Sequence, residues 1–143
     1  MKRLHISLAV EDLDRSVAFY SSLFATEPTV RKADYAKWML DDPRVNFAVQ
    51  TRGTHKGLDH MGIQVETRDE LVEVYDRLTQ AGAPSHEEGE TVCCYARSEK
   101  SWVIDPEGIA WETFLTTGDS PDYGTDIDVV AKIGAAPRAS GCC

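Results

Sequence analysis

The alternation of apolar and polar positions near the N-terminus predicts a strand. Leu4, Ile6, Leu8 and Val10 share one face while His5, Ser7 and Ala9 share the other, the period of two that marks a strand with distinct sides. The period then lengthens. Leu13, Val17, Tyr20 and Phe24 stand at i, i+4, i+7 and i+11, which predicts an amphipathic helix with one buried stripe. Short runs rich in Val, Tyr, Trp and Phe follow, separated by turn-forming residues such as Asp41–Pro43, and read as strands.

The same order then returns. Leu4–Leu23 laid against Asp59–Leu78 at an offset of 55 pairs His5 with His60, Leu8 with Ile63, Val10 with Val65, Asp14 with Asp69, Val17 with Val72, Tyr20 with Tyr75 and Leu23 with Leu78. Met61, Ile63 and Val65 oppose His60, Gly62 and Gln64 in the second strand, and Leu71, Val74, Tyr75 and Leu78 form the stripe of the second helix. Thr67 with Glu70 reads as a capping box and Gly82 as a helix stop, with a further turn at Asp105–Gly108. The expected fold is α+β, with two tandem βαβββ modules at about 1–52 and 57–117 in a single domain covering 1–117. From about Thr117 the composition turns to Gly, Pro, Asp, Ser and Ala. Residues 118–143 are expected to form a flexible tail, with Asp126–Ile133 as the stretch patterned for one short element.

Composition narrows the function classes. A chain of 143 residues buries about two thirds of its unfolded surface without covalent staples, so a disulfide framework is unnecessary. Its 24 acids against 15 bases leave a formal charge of -9, and that field repels a phosphate backbone; no nucleic acid partner is expected. The N-terminal "MKRLHISLAVEDLD" lacks a cleavage site, and no run approaches the ~20 apolar residues of a membrane span. The expectation is a reducing cytoplasm, free thiols and no membrane.

The duplication makes His5 and His60 candidate metal ligands. A lone histidine among apolar neighbours is ordinarily a hydrogen-bonded structural residue, but these two occupy the same position of equivalent strands. Their faces are otherwise small or polar (Ser7, Ala9, Gly62, Gln64), as a ligand cavity requires. His55 and His86 lie in loop-like contexts, "TRGTHKG" and "PSHEEGE", and are expected to be solvated. A third donor, Glu112, stands in the last strand "GIAWETFL", on the side opposite Trp111 and Leu115. Two histidines and one carboxylate suit Fe(II) with adjacent open positions.

Taken together, "LH" at Leu4-His5, "DHMGIQV" at Asp59–Val65 and "DPEGIAWETF" at Asp105–Phe114, set in duplicated modules, resemble the vicinal oxygen chelate superfamily of glyoxalase I, extradiol dioxygenases and fosfomycin-modifying thiol transferases. The resemblance covers about Met1 to Thr117 and implies His5, His60 and Glu112 as the metal ligands. Glyoxalase-type sites use a fourth ligand, usually a Glu from the last strand of the first module. Here that strand, Val45–Gln50, has Phe47 and Ala48 at its centre, and three ligands with open positions fit oxygen activation better.

Cys93 and Cys94 narrow the resemblance. Thiolates prefer thiophilic centres such as trivalent arsenic, and a monomethyl arsenic(III) species exchanges two oxygen ligands, so two thiols saturate it. The run from Cys93 to Phe114, "CCYARSEKSWVIDPEGIAWETF", resembles the carbon-arsenic lyase branch of the superfamily, to which a cadmium-induced protein group also belongs. That resemblance implies Fe(II), O2 as co-substrate, Cys93 and Cys94 as the arsenic-binding pair, a trivalent organoarsenical substrate and arsenite as product. Adjacent side chains of a regular strand face opposite ways, so both sulfurs reach one atom only if the segment is irregular or a mobile loop. Small apolar filler is the alternative use of the pair. Tyr95 and Lys100 lie near enough to shape or gate a pocket, although a lysine there is ordinarily solvated. Cys142 and Cys143 either capture arsenic on the tail or are dispensable.

Three other classes compete: a non-enzymatic thiol protein sequestering metalloid or cadmium, a glyoxalase or thiol transferase-like metalloenzyme, and a metal-free drug-binding protein of the bleomycin-resistance type. The chain is expected to act as a monomer or a homodimer.

Overall fold

The computed structural model describes residues 1–53, 55–125 and 127–133. They follow the duplicated order. The first repeat carries β1 (Arg3–Ala9), α1 (Leu13–Phe24), β2 (Val30–Arg31), β3 (Tyr35–Asp41) and β4 (Arg44–Gln50). The second carries β5 (Gly57–Val65), α2 (Arg68–Gln80), β6 (Ser85–Cys93), β7 (Ala96–Ile104) and β8 (Ala110–Asp119), and α3 (Val129–Ile133) comes after it. The architecture is α+β, with mixed strands and few helices. Among the described residues, no helix is long and apolar enough to cross a membrane. The chain divides into two compact units, Arg3–Gln64 and the chain from Val65 together with Met1–Lys2.

In the first unit the strands run in the order β2-β3-β4-β1-β5. β1 is parallel to β4 and antiparallel to β5. The crossover between β1 and β4 is helical, as a parallel pair requires. Asp12 caps α1 by accepting from the Arg15 amide at 2.9 Å, and Ala25 closes it in the left-handed conformation while Thr26 N–H returns to Ser21 C=O at 3.1 Å. The apolar stripe of α1 packs where the periodicity puts it. Leu13 and Val17 join Ala36, Trp38, Leu40, Val45, Phe47 and Val49 in the core, with Ile6, Leu8, Tyr20 and Phe24 packed against it. Burial of each large member stabilises by about 1.5–3 kcal/mol.

The alternation leaves the opposite side of the same strands polar. His5 pairs with Asn46, Ser7 with Ala48 and Ala9 with Gln50, and all six are buried. A buried polar face carries a cost unless its groups are bonded, so this face is where chemistry belongs.

The second unit is a meander in the order β8-β7-β6 with α2 on β8. Thr67 caps α2 by accepting from the Glu70 amide at 3.2 Å, and Glu70 accepts in return from Glu66 N–H at 2.9 Å, one residue before the expected partner. Gly82 at φ +67 ends the helix. Leu71 and Val74 are its buried residues.

Three features differ from the pattern reading. Ser85–Cys93 is a strand, so His86 is half-buried opposite Trp102 and not a solvated loop residue. The expected tail boundary near 117 falls inside β8, which runs to Asp119. The chain then folds back over the β6–β7 tip, with Tyr123 buried and Thr125 N–H bonded to Val92 C=O at 3.1 Å. Gly124, at φ +87, lies in this return. Within Asp126–Ile133, α3 takes Val129–Ile133. Cys142 and Cys143 lie outside the described residues.

Candidate functional site

The first unit assembles a histidine pair. His5 is 6% and His60 9% exposed, and their Nε2 atoms stand 3.2 Å apart. Each ring is fixed from behind. His5 Nδ1 donates to the carbonyl of Asn46 at 2.9 Å and His60 Nδ1 to Asp59 Oδ2 at 2.6 Å; a carbonyl and a carboxylate only accept, which makes both Nδ1 atoms the protonated ones. With both rings neutral, both Nε2 lone pairs point into the same space. Two lone pairs at that separation repel unless a cation lies between them, so the donor chemistry fits a metal ion held by neutral imidazoles with oxygen partners behind.

A strand irregularity supplies one of those partners. In a flat strand Asp59 would face away from His60, but the β1–β5 register shifts between Ser7 and Leu8, with Ser7 opposite His60 and Leu8 opposite Leu58. Asp59 is the extra residue. The bulge re-aims its side chain, which reaches the imidazole and accepts a 3.3 Å bond from Gln50 Nε2. Asp59 escapes pattern reading because only the register reveals it.

The second unit assembles a charged and sulfur-bearing cluster. Glu112 and Lys100 are 4% and 5% exposed, and Lys100 Nζ donates to Glu112 Oε2 at 3.1 Å. Adjacent strands place them diagonally, since Trp102 is opposite Glu112 and Phe114 opposite Lys100. The ammonium lies 5.5 Å from the Trp102 ring centre and 6.0 Å from that of Phe114. Lys100 is thus an inward-facing cation and not a solvated one. Burial alone would discharge it, but the charges of Glu112 and the cysteine pair outweigh burial and hold its pKa above the ordinary lysine value.

Cys93 ends β6 and Ala96, its partner, begins β7, so Cys94 and Tyr95 alone make the turn. Both have positive φ, 58° and 61°, the backbone of a two-residue type I′ hairpin that normally takes Asn-Gly. This is the irregularity the pair requires. It brings the two Sγ atoms to 3.1 Å, which a flat strand forbids. Each non-glycine residue in that conformation costs about 1–2 kcal/mol, and strain of this kind concentrates at functional sites. The Cys94 thiol is held below its ordinary pKa, first by the Cys93 S–H and then by the Lys100 charge and the Tyr123 hydroxyl, against burial and the Glu112 charge. The same sulfur–sulfur bond, with burial, pushes Cys93 up. Of the two sulfurs, Cys94 is therefore the one that gives up its proton first. Tyr95 packs edge-on against Tyr123, ring centres 5.5 Å apart.

Known proteins resemble this chain over most of its length. Residues 2–113 match the family described as Glyoxalase/Bleomycin resistance protein/Dioxygenase superfamily. A protein named trivalent organoarsenical cleaving enzyme, from Bacillus sp. (strain MD1), is 44% identical over 119 residues, 81% of this chain and 74% of that one. The cadmium-induced protein CadI of Mycobacterium bovis is 36% identical, over 87% of this chain and 83% of that one. Among solved structures, the Mn(II)-bound glyoxalase from Novosphingobium aromaticivorans superposes with a TM-score of 0.60 at 17% identity, across 89% of this chain and 43% of that one. The repeat seen in the sequence, the strand order built from it and the match over most of the chain lead to one assignment: the chain belongs to the Glyoxalase/Bleomycin resistance protein/Dioxygenase superfamily.

Proposed function

We propose that this protein is a cytoplasmic Fe(II)-dependent dioxygenase that cleaves the carbon-arsenic bond of trivalent organoarsenicals such as methylarsenite. His5, His60 and Glu112 are its metal ligands, and Cys93 and Cys94 hold the substrate. The observation that carries the reading is the sulfur pair. Two thiols 3.1 Å apart at a strained turn match the two exchangeable positions of a monosubstituted arsenic(III), and a relative at 44% identity is named for organoarsenical cleavage.

The chain's residues divide the work. The Cys94 thiolate attacks arsenic and displaces one hydroxide, then Cys93 closes the chelate and its proton leaves with the second hydroxide as water. Lys100 offsets the negative charge of sulfur and carboxylate before substrate arrives, and it orients Glu112 through Oε2. Asp59 and the Asn46 carbonyl fix the imidazoles so that only Nε2 is offered. Iron(II), when bound, supplies the activation of oxygen. Methylarsenite and one oxygen molecule balance to arsenite and a carbon fragment at the formaldehyde level.

Oxygen uptake by anaerobically purified, Fe(II)-loaded protein on adding methylarsenite, with arsenic species separated afterwards, is the test. Uptake matched to arsenite release is expected. Tight arsenic binding with neither uptake nor cleavage overturns the reading and favours thiol-based sequestration.

A further inference from the structure

The contacts of the segment after β8 converge on the cysteine turn. Ser120 N–H donates to the Tyr95 carbonyl at 2.8 Å, Thr125 N–H donates to the Val92 carbonyl at 3.1 Å, and Gly124 bridges to Cys93. These contacts hold the tip from the end of β6 and from the turn itself. Between them Tyr123 is 6% exposed. Its ring meets Tyr95 edge-on and its hydroxyl lies 3.6 Å from Cys94 Sγ.

The close approach depends on one glycine. A Cβ at Gly124 would lie 1.7 Å from the Val92 carbonyl oxygen, and the residue has φ +87. No other side chain fits without moving the segment away from the turn. The return is therefore built to seat Tyr123 against sulfur.

We propose that residues 120–125 are part of the thiol site, with Tyr123 as its positioning residue: the hydroxyl holds the Cys94 sulfur and the ring holds the turn on which both sulfurs stand. This rests on the reading of Cys93 and Cys94 as the arsenical-binding pair. In the structure the Cys94 S–H donates to the Tyr123 hydroxyl, and once the sulfur has lost its proton the hydroxyl turns to donate to it; the other groups that face Cys94 are Cys93 from β6, Lys100 from β7 and Glu112 from β8. Bonding to the charged form favours it. Once arsenic takes the sulfur lone pair, the hydroxyl is released to accept or donate elsewhere, so its effect falls on capture of the substrate more than on retention.

The experiment is residue-resolved alkylation by iodoacetamide across pH, read by mass spectrometry on the full chain, with binding of phenylarsine oxide measured alongside. In Tyr123→Phe, which keeps the ring, the Cys94 alkylation midpoint is expected to rise by about 0.5–1 pH unit, and phenylarsine oxide association should slow severalfold. Gly124→Ala should cause both effects and a lower Tm. An unchanged midpoint in Tyr123→Phe overturns the assignment of the hydroxyl, whatever Gly124→Ala does. Failure of the underlying reading looks different: phenylarsine oxide would stay bound after Cys93→Ser and Cys94→Ser and be lost after Cys142→Ser and Cys143→Ser, although the Tyr123→Phe midpoint could still move.

Discussion

The histidine pair and the cysteine pair reach similar separations by opposite structural means. His5 stands on a strand backed by an aromatic core of Tyr20, Phe24, Trp38 and Phe47, whose ring centroids lie 4.6–6.1 Å apart, and His60 stands on the strand paired with it. Cys93 and Cys94 stand at a hairpin tip whose two central residues occupy the left-handed region. A metal centre gains from rigidity, because fixed imidazoles preorganise the donor set. A substrate chelate must open and close, and a turn with stored strain is suited to that. On the proposed reading, the metal ligand His5 stands on a strand packed against the core and the substrate thiols at a turn with positive φ.

The largest expected effects come from separating the two centres. Cys93→Ser or Cys94→Ser should abolish arsenical turnover and leave iron content intact, whereas His5→Ala or His60→Ala should abolish iron binding and leave phenylarsine oxide binding intact. Metal analysis and arsenical titration on the same samples decide it. Loss of iron in the cysteine variants would mean that the sulfurs belong to the resident site and that the contrast is false.

A smaller effect tests how the histidine side is held. Asp59→Asn keeps the shape of the bulge but turns the group facing His60 Nδ1 into a neutral amide, so Fe(II) affinity should fall about 10–100-fold, or ~1.4–2.7 kcal/mol, as for other partners of ligating histidines. Competition with a chelator measures it directly. Unchanged affinity would show that the strands alone orient His60 and that the bulge serves another purpose.

The two regions also differ in how much of them the sequence discloses. His5, His60 and the core residues behind them follow from periodicity, because strand alternation and the repeat assign each residue to a face independently of neighbours. Asp59 does not follow, since a bulge is a property of pairing between strands. The turn is harder still. Cys94-Tyr95 carries none of the Gly or Asn expected at positive φ, so it gives no turn signal. Lys100 reads as surface because its counter-charge, Glu112, is 12 residues away on the neighbouring strand, and only register joins them. Tyr123 sits in a stretch whose composition resembles disorder, although Gly124 is there for a close contact.

The smallest expected effect probes the strain itself. Tyr95→Gly removes a non-glycine residue from φ 61, which should stabilise by about 1–2 kcal/mol, but it also deletes the edge-on contact with Tyr123, worth about 0.5–1.5 kcal/mol. The two nearly cancel. Chemical denaturation should therefore find the variant within about 1 kcal/mol of the parent, while amide exchange at Ser120, whose N–H is bonded to the carbonyl of residue 95, becomes faster as the tip loosens. A clear gain in stability with unchanged exchange would show that the ring contact contributes nothing and that the strained turn is held by the backbone bonds of residues 120–125 alone. A loss above about 2 kcal/mol would mean that Tyr95 is a packing residue first, and the turn would then be no more mobile than the strands that carry His5 and His60.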